Sequence, residues 1–339
     1  MCRRQSLAKV PGKETIGIDG HKDGKRRHVE TVTRMKLGIS AFEDAHHMGI
    51  ERSTGENLAK VIKPLISQFK TMAVVADNTG NNTGAQTGLF SCLQYNYPWL
   101  ICLGCCVHVL DLLIEDLAKL PKIASTGINA HFLVTFVKKH GILFEEFLLA
   151  QKKTSCTLEL VIYPTTRFAY LYLMCQRAAG NMGALRLVSE SPILDAIKLQ
   201  LKKRGKDGVK GLKECEDFEE LVTSRNFKQE LLGATALLEP FSLVLHYLEG
   251  DSIPISHVYP CFQFMYDFTQ QLQEFDTITK LLDADEDCDE VNTKTRERWL
   301  GGSRKVGLRD DVHLCAFLLD PIAQAALTSS RAPVQNATC

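Results

Sequence analysis

The stretch from Met72 to Asp116 constrains this chain most, because it reads as strand, helix, strand, helix with chemistry-bearing residues where each strand stops. The short apolar run Ala73-Val74-Val75-Ala76 has the character of a buried strand and halts at Asp77-Asn78-Thr79-Gly80-Asn81-Asn82. A carboxylate therefore stands where a strand ends. A second run, Trp99 to Leu103, passes through Gly104 into Cys105-Cys106-Val107-His108 and a helix, so a thiol and an imidazole lie near another strand end.

Upstream, residues 15–50 hold three strand-like runs: Thr15 to Asp19, His28 to Leu37 and Ser40 to Met48. The middle one alternates, with Val29, Thr31, Thr33 and Met35 opposite His28, Glu30, Val32 and Arg34, and an antiparallel meander is the simplest arrangement. Ser53-Thr54-Gly55-Glu56 has capping-box form and predicts a helix start with Ser53 as cap. Leu58, Val61, Ile62, Leu65, Ile66 and Phe69 continue it as one apolar face, with Pro64 predicting a kink or an early end. A helix is expected over Thr83 to Tyr95. Another is expected from Cys106 to Leu120, with Pro121 as its stop.

The order three strands, helix, strand, helix, strand, helix predicts one mixed α/β layer fold over residues 1–121. From 122 to 339 helical patterns dominate, at Ile128 to Phe136, Leu143 to Ala150, Phe168 to Ala179, Leu231 to Leu248 and Val258 to Leu282, which predicts a helical domain. Two charged segments interrupt it. Lys198 to Lys213, including Lys202, Lys203 and Arg204, reads as a solvated loop or a phosphate contact. Asp283 to Glu290 lacks the glycine and spacing of a calcium loop and reads as a solvated loop.

At 339 residues, 45% of them hydrophobic, two globular domains are expected, and 40 basic against 40 acidic side chains leave any nucleic-acid surface to local clustering. The N-terminus carries no apolar leader pattern and no run of about 18 apolar residues occurs, so an intracellular chain with no membrane partner is expected. Twelve scattered cysteines then read mostly as small buried apolar groups and not as a disulfide framework.

Asp19 closes the first strand as Asp77 closes the fourth. If those strands are parallel neighbours, both carboxylates emerge at the same sheet edge, where α/β sheets place ligands. Two such acids can share divalent cations for phosphodiester chemistry, and oxygen donors favour Mg2+ or Mn2+. The plainer alternative is that each is a turn former or helix cap. His21, Asp23 and His28 lie nearby without ligand spacing and read as surface residues. Cys102, Cys105, Cys106 and His108 contain half of a zinc pattern with no second half, so a structural role competes with zinc or redox chemistry.

Taken together, Ile18-Asp19-Gly20-His21-Lys22-Asp23, Val74-Val75-Ala76-Asp77-Asn78, Cys105-Cys106-Val107-His108-Val109-Leu110-Asp111-Leu112 and Pro164-Thr165-Thr166-Arg167-Phe168 resemble the hAT transposase superfamily. So do Arg298-Trp299 and the late run from Val312 to Pro321. The resemblance is to transposase-derived members often described only as a domain of unknown function. It implies a ribonuclease-H-like fold, an α/β mixed sheet with helices on both faces, interrupted by a large all-α insertion. It matches Asp19 and Asp77 to the first two acids of an Asp-Asp-Glu metal triad, and Cys105 with His108 to a Cys-x-x-His motif supporting the active site. Arg167 and Phe168 fall on an Arg-Trp pair whose tryptophan stacks on a flipped base in family members. Phe168 replaces that tryptophan, His21 replaces another, and no Glu takes the third acid's role. The family's N-terminal zinc finger and C-terminal dimerisation segment have no counterpart.

Three readings follow. The first is a truncated or degenerate hAT-type protein, nuclear and DNA-associated, unable to transpose alone. The second is an active metal-dependent strand-cleaving and strand-transfer enzyme whose third acid comes from a position such as Glu297 or from a partner chain. The third is a non-catalytic module binding a protein through the helical half, where Phe132, Phe136, Phe144 and Phe147 recur at helical spacing.

Overall fold

The computed structural model describes residues 12–36, 39–49, 52–162, 169–250, 253–282, 285–301 and 311–321; Arg167 and Phe168 lie outside them. The described residues fall into two compact units. The first comprises those of Met1–Leu110, His246–Gln263 and Glu297–Cys339, and the second those of Asp111–Leu245 and Phe264–Arg296. This division differs from a single boundary at residue 121, since the chain leaves the first unit and returns to it twice.

The first unit is built on a five-stranded sheet of order β3-β2-β1-β4-β5. Its strands are β1 (Glu14–Lys22), β2 (His28–Lys36), β3 (Ile39–His47), β4 (Thr71–Ala76) and β5 (Ile101–Gly104). The first three form the antiparallel meander, while β4 pairs parallel to β1 and β5 parallel to β4. Asp23 closes the β1–β2 turn, its Oδ1 accepting from the Lys25 and Arg27 N–H groups at 2.9 and 2.8 Å.

Helix α1 (Gly55–Phe69) lays Leu58, Ala59, Ile62 and Ile66 on Ile16, Ile18, Val74 and Ala76 of the sheet. Two expectations about it fail. Its cap is Thr54, whose hydroxyl accepts from the Asn57 N–H at 3.3 Å, while Ser53 Oγ finds no hydrogen-bond partner among the described residues. It also runs through Pro64 to a left-handed cap at Lys70. Pro64 is exposed, so water can satisfy the carbonyl that loses its donor, and burial of the opposite face holds the helix together.

The helix expected over Thr83 to Tyr95 is two pieces, α2 (Gly80–Thr83) and α3 (Leu89–Asn96). Glycines make the break. A Cβ at Gly88 would lie 2.4 Å from the Gly84 nitrogen, and one at Gly55 would lie 2.2 Å from the Thr87 carbonyl oxygen. The turn between α2 and α3 thus folds onto itself and onto the start of α1, as only side-chain-free backbone can.

At the far end of the sheet, Arg34 forks onto Glu14 at 2.7 and 2.8 Å, reaches Glu43 at 3.2 Å and lies 3.6 Å above the Phe69 ring centroid. Glu14 is 5% exposed and Arg34 9%, so three strands and the end of α1 share one buried ionic knot.

Later elements of this unit include the start of α11 (Val258–Gln270), the end of α13 (Asp285–Leu300) and α14 (Asp311–Leu319). Trp299, 2% exposed, stacks on Phe262 at 5.2 Å and meets Tyr259 edge-on at 5.5 Å; Tyr259 in turn stacks on Phe317. Ser256 Oγ donates to Asp320 at 2.6 Å. The two late segments of the resemblance, around Trp299 and around Asp320, therefore pack into one aromatic cluster.

The second unit is helical in its described residues. Its helices include α5 (Pro121–Lys139), α6 (Gly141–Lys153), α7 (Ala169–Ser189), α8 (Pro192–Lys203), α9 (Val209–Thr223), most of α10 (Arg225–Leu248) and α12 (Asp276–Thr279). Pro121 opens α5 instead of merely stopping α4 (Cys106–Ala118), because a proline at a first helical position gives up no bonded N–H. Phe136 and Phe147 are core, Phe136 stacking on Phe218 at 4.8 Å, while Phe132 and Phe144 are half-buried.

The acidic run is not the expected loop either. From Asp285 it opens α13, where carboxylates favour the positive end of the helix. Among the described residues α10 is long and apolar enough by length and composition to cross a membrane, and 56% of its apolar window is buried inside the fold.

Candidate functional site

The parallel register of β1 and β4 builds the site. Ile16 pairs with Val74 and Gly17 with Val75, so two residues further along Asp19 falls level with Asp77. The next pair carries the line on: Ala76 is level with Gly104, and Asp77 therefore with Cys105. Asp77 and Cys105 leave two adjacent parallel strands at their carboxyl ends, where such sheets bind ligands, and Asp19 lies level with them just past the end of the β1–β4 pairing.

Asp19 does not end its strand as expected. β1 continues to Lys22 because β2 gives it an antiparallel partner as far as His28, with Asp19 opposite Thr31. The Thr31 hydroxyl donates to the Asp19 carbonyl oxygen at 2.9 Å, which pins the backbone while the residue stays exposed. What ends beside Asp19 is the parallel pairing with β4.

Asp77 is half-buried and closely held. Its Oδ1 accepts from the Thr79 N–H at 3.1 Å, the Thr79 hydroxyl at 2.7 Å and the Asn82 Nδ2 at 2.7 Å. Burial alone would push this carboxyl up, but those donors and the nearby His108 imidazole hold it below its ordinary value of 3.8. Oδ2 accepts no hydrogen bond among the described residues, so the loop fixes one oxygen and leaves its twin available. Asp77 is therefore a turn former, the plainer of the two roles that the sequence allowed it. The sequence shows Thr79 and Asn82 only as members of a polar cluster, and an Asp followed at short range by Thr and Asn is the pattern of a side-chain-closed turn.

Cys105 precedes α4 as its cap residue. Its N–H donates to the Ala76 carbonyl at 2.7 Å and its own carbonyl accepts from Val109 at 3.2 Å and from Asn78 Nδ2 at 2.9 Å. Gly104 makes the last bond possible, since a Cβ there would sit 1.8 Å from Asn78 Oδ1. Burial pushes the Cys105 thiol up and the charges of Asp19 and Asp77 push it further, against the pull of the Val107 and His108 N–H groups. Cys105 thus lies within electrostatic reach of Asp19 and of Asp77, and His108 within reach of Asp77.

Burial raises Cys102 and Cys106 to about 12, which keeps both protonated at neutral pH and suits packing better than zinc or redox chemistry. Of the cysteines described, Cys175, Cys215 and Cys288 are buried, Cys315 is exposed and the rest are half-buried.

Among the described residues, no three His, Cys, Asp or Glu side chains are grouped to hold a metal ion. Glu297 does not join Asp19 and Asp77. Lys202, Lys203 and Arg204 lie at the end of α8 in the second unit, all exposed, so the basic run is helical and not the loop that the sequence suggested. Compared with known proteins, the chain matches no protein-family model, and no curated protein matches it.

Proposed function

We propose that this chain is a transposase-derived, nucleic-acid-associated protein of the hAT type, with a ribonuclease-H-like core that does not transfer strands by itself. The observation carrying the reading is the register that levels Asp19 with Asp77 on adjacent parallel strands, beside Cys105 and His108. These are the four residues that the family resemblance matches to two acids and a Cys-x-x-His motif. The strand order β3-β2-β1-β4-β5, an antiparallel meander continued by two parallel strands, also supports a ribonuclease-H-like core. A helical unit interrupting the sheet unit is what an insertion into such a core produces. On this reading the protein works in the nucleus on DNA.

Asp19 and the open oxygen of Asp77 fit one hydrated Mg2+ or Mn2+ ion, which takes one or two carboxylates and keeps several waters. When bound, such an ion polarises a phosphodiester oxygen. The pair does not supply the third carboxylate of a two-ion centre, and this is why strand transfer is not expected. The chain's own contribution is to fix Asp77 through Thr79 and Asn82 and to hold Cys105 and His108 within its electrostatic reach.

Manganese binding followed by electron paramagnetic resonance, together with a strand-transfer assay on labelled duplex DNA, tests this. The expected result is Mn2+ binding that Asp19→Asn and Asp77→Asn each weaken at least tenfold, with no transfer product. Transfer by the unaltered chain would overturn its incompetence. Binding untouched by either substitution would remove the acid pair as a metal site.

A further inference from the structure

The corner between α8 and α9 concentrates exposed positive charge. Lys202, Lys203 and Arg204 end α8, Lys206 lies in the Gly205–Gly208 turn, and Lys210 and Lys213 open α9. All six are exposed. The ion pairs of this region go elsewhere, Lys198 to Glu219 and Lys139 to Glu214 at 3.4 Å, and none among the described residues uses the six. Asp207 is the one carboxylate on the turn.

Lysines at the end of α8 complement its negative pole. Those at the start of α9 do the opposite, because a helix N-terminus is positive and favours carboxylates. α9 has no acid in its first turn and no base in its last, and Glu214, Glu216, Asp217, Glu219 and Glu220 follow from its sixth residue on. Its charges run against its dipole along the whole length. Lys210 and Lys213 stand at i,i+4 spacing from Glu214 and Asp217 yet form no ion pair with them among the described residues, so their charge stays open and adds to the helix N-terminus at one point.

We infer that the α8–α9 corner is a contact surface for the phosphate backbone of a nucleic acid. The turn is tight and keeps the two sets of cations close together: Gly205 takes a φ of +57°, and the buried Gly208 lies so close to Leu201 that a Cβ would stand 1.9 Å from its carbonyl oxygen. The cations fan over a helix end, a turn and a helix start, and a corner of this kind suits a ridge of phosphates. A bilayer surface is met by one long amphipathic face, and here only Leu199 and Val209 are exposed beside the cations. The inference rests on the nucleic-acid part of the proposed function and adds the place of contact.

Fluorescence anisotropy of the full chain with a labelled duplex and a single strand of equal length, across a KCl series, tests it. Lys202→Glu/Lys203→Glu/Arg204→Glu and Lys206→Glu/Lys210→Glu/Lys213→Glu are each expected to weaken binding more than tenfold. The slope of log affinity against log salt should flatten by about 0.9 for each duplex phosphate that is no longer neutralised. Lys152→Glu/Lys153→Glu, on another exposed helix end, should change neither. Circular dichroism of each variant should show the helix content of the unaltered chain, so weakened binding cannot be put down to unfolding. DNA binding equal in the corner variants and the unaltered chain would overturn the corner and leave nucleic-acid association standing. No DNA binding, with capture by phosphatidylserine vesicles instead, would overturn both, and so would binding to neither; the metal assay above judges the acid pair separately.

Discussion

Asn82 donates its carboxamide N–H to Asp77 Oδ1 at 2.7 Å, onto the oxygen that Thr79 already contacts twice. Asn82 is 7% exposed, its own Oδ1 accepts nothing among the described residues, and besides Asp77 its carboxamide reaches only the Thr79 hydroxyl, at 3.4 Å, so its shortest side-chain bond is the one that holds Asp77. Asn82→Ala should cost about 1.5 kcal/mol at neutral pH, the low end for a bond to a charged group because Asp77 is half exposed. The sign with pH follows from the depressed carboxyl. Its contribution is complete above the ordinary value of 3.8 and is lost as pH falls through the lower folded value. The pH-dependent part of the Asn82→Ala defect should therefore fade in acid. Urea unfolding at stepped pH, with the Asp77 titration followed by NMR, checks it; an Asp77 value that does not rise in the variant would refute the clamp.

Two glycines at helix starts should respond to alanine with opposite sign. Gly55 opens α1 and Gly141 opens α6, and in a helix interior alanine is favoured over glycine by about 1 kcal/mol. A Cβ at Gly141 meets nothing within 4 Å, whereas at Gly55 it meets backbone at 2.2 Å. Gly141→Ala should leave the melting temperature equal or higher. Gly55→Ala should cost about 2 kcal/mol, as overpacking against an unyielding partner does. Equal effects would show that the turn after α2 is not packed on α1.

Replacing Arg34 by Met strands Glu14 in the sheet without its forked partner, leaving Lys36 at 3.7 Å. Breaking a buried pair from one side costs about 3–5 kcal/mol. Glu14→Leu/Arg34→Met should recover most of that loss in chemical denaturation, since the apolar pair needs no desolvation. A double variant no better than the single one would mean that Glu43 and Phe69 hold Arg34 more strongly than Glu14 does.

Thiol alkylation should follow exposure. With Cys2 and Cys339 changed to Ser, Cys315 should react first at pH 8, because it is exposed. Cys102, Cys106 and Cys175, raised to about 12 by burial, should wait for denaturant. Mass spectrometry of timed samples reads the order directly.

What could be read in the sequence followed from hydrophobic period. Short apolar runs ending in Asp77 and in Gly104-Cys105 announced strands with chemistry at their ends, and the alternation around Val32 announced a meander. Pairing was not readable, because parallel register is a long-range fact: nothing local to Asp19 says that β1 runs on past it beside β2. Local rules also misplaced the cap by one residue, to Ser53 instead of Thr54, since both hydroxyls satisfy the same pattern and only backbone geometry chooses. Charge density misled at Asp285 to Glu290 and at Lys202 to Lys213, where helices tolerate runs that composition assigns to loops. The part that Gly104 plays became visible only through what it touches, whereas Asn82 stood in a polar cluster whose turn pattern was legible.

The sheet unit is discontinuous, which sets a timetable for the chain as it is made. Its five strands are complete by Gly104, yet Phe262, Trp299 and Phe317, which share one cluster in that unit, lie far downstream. At ribosomal speeds of about 5–20 residues per second, roughly ten to forty seconds separate the last strand from the arrival of Trp299. Throughout that interval the nascent sheet unit lacks part of its own interior while the helical unit emerges and can fold. Chaperone capture, if this protein needs it, should fall within that window and end once residue 321 has cleared the exit tunnel.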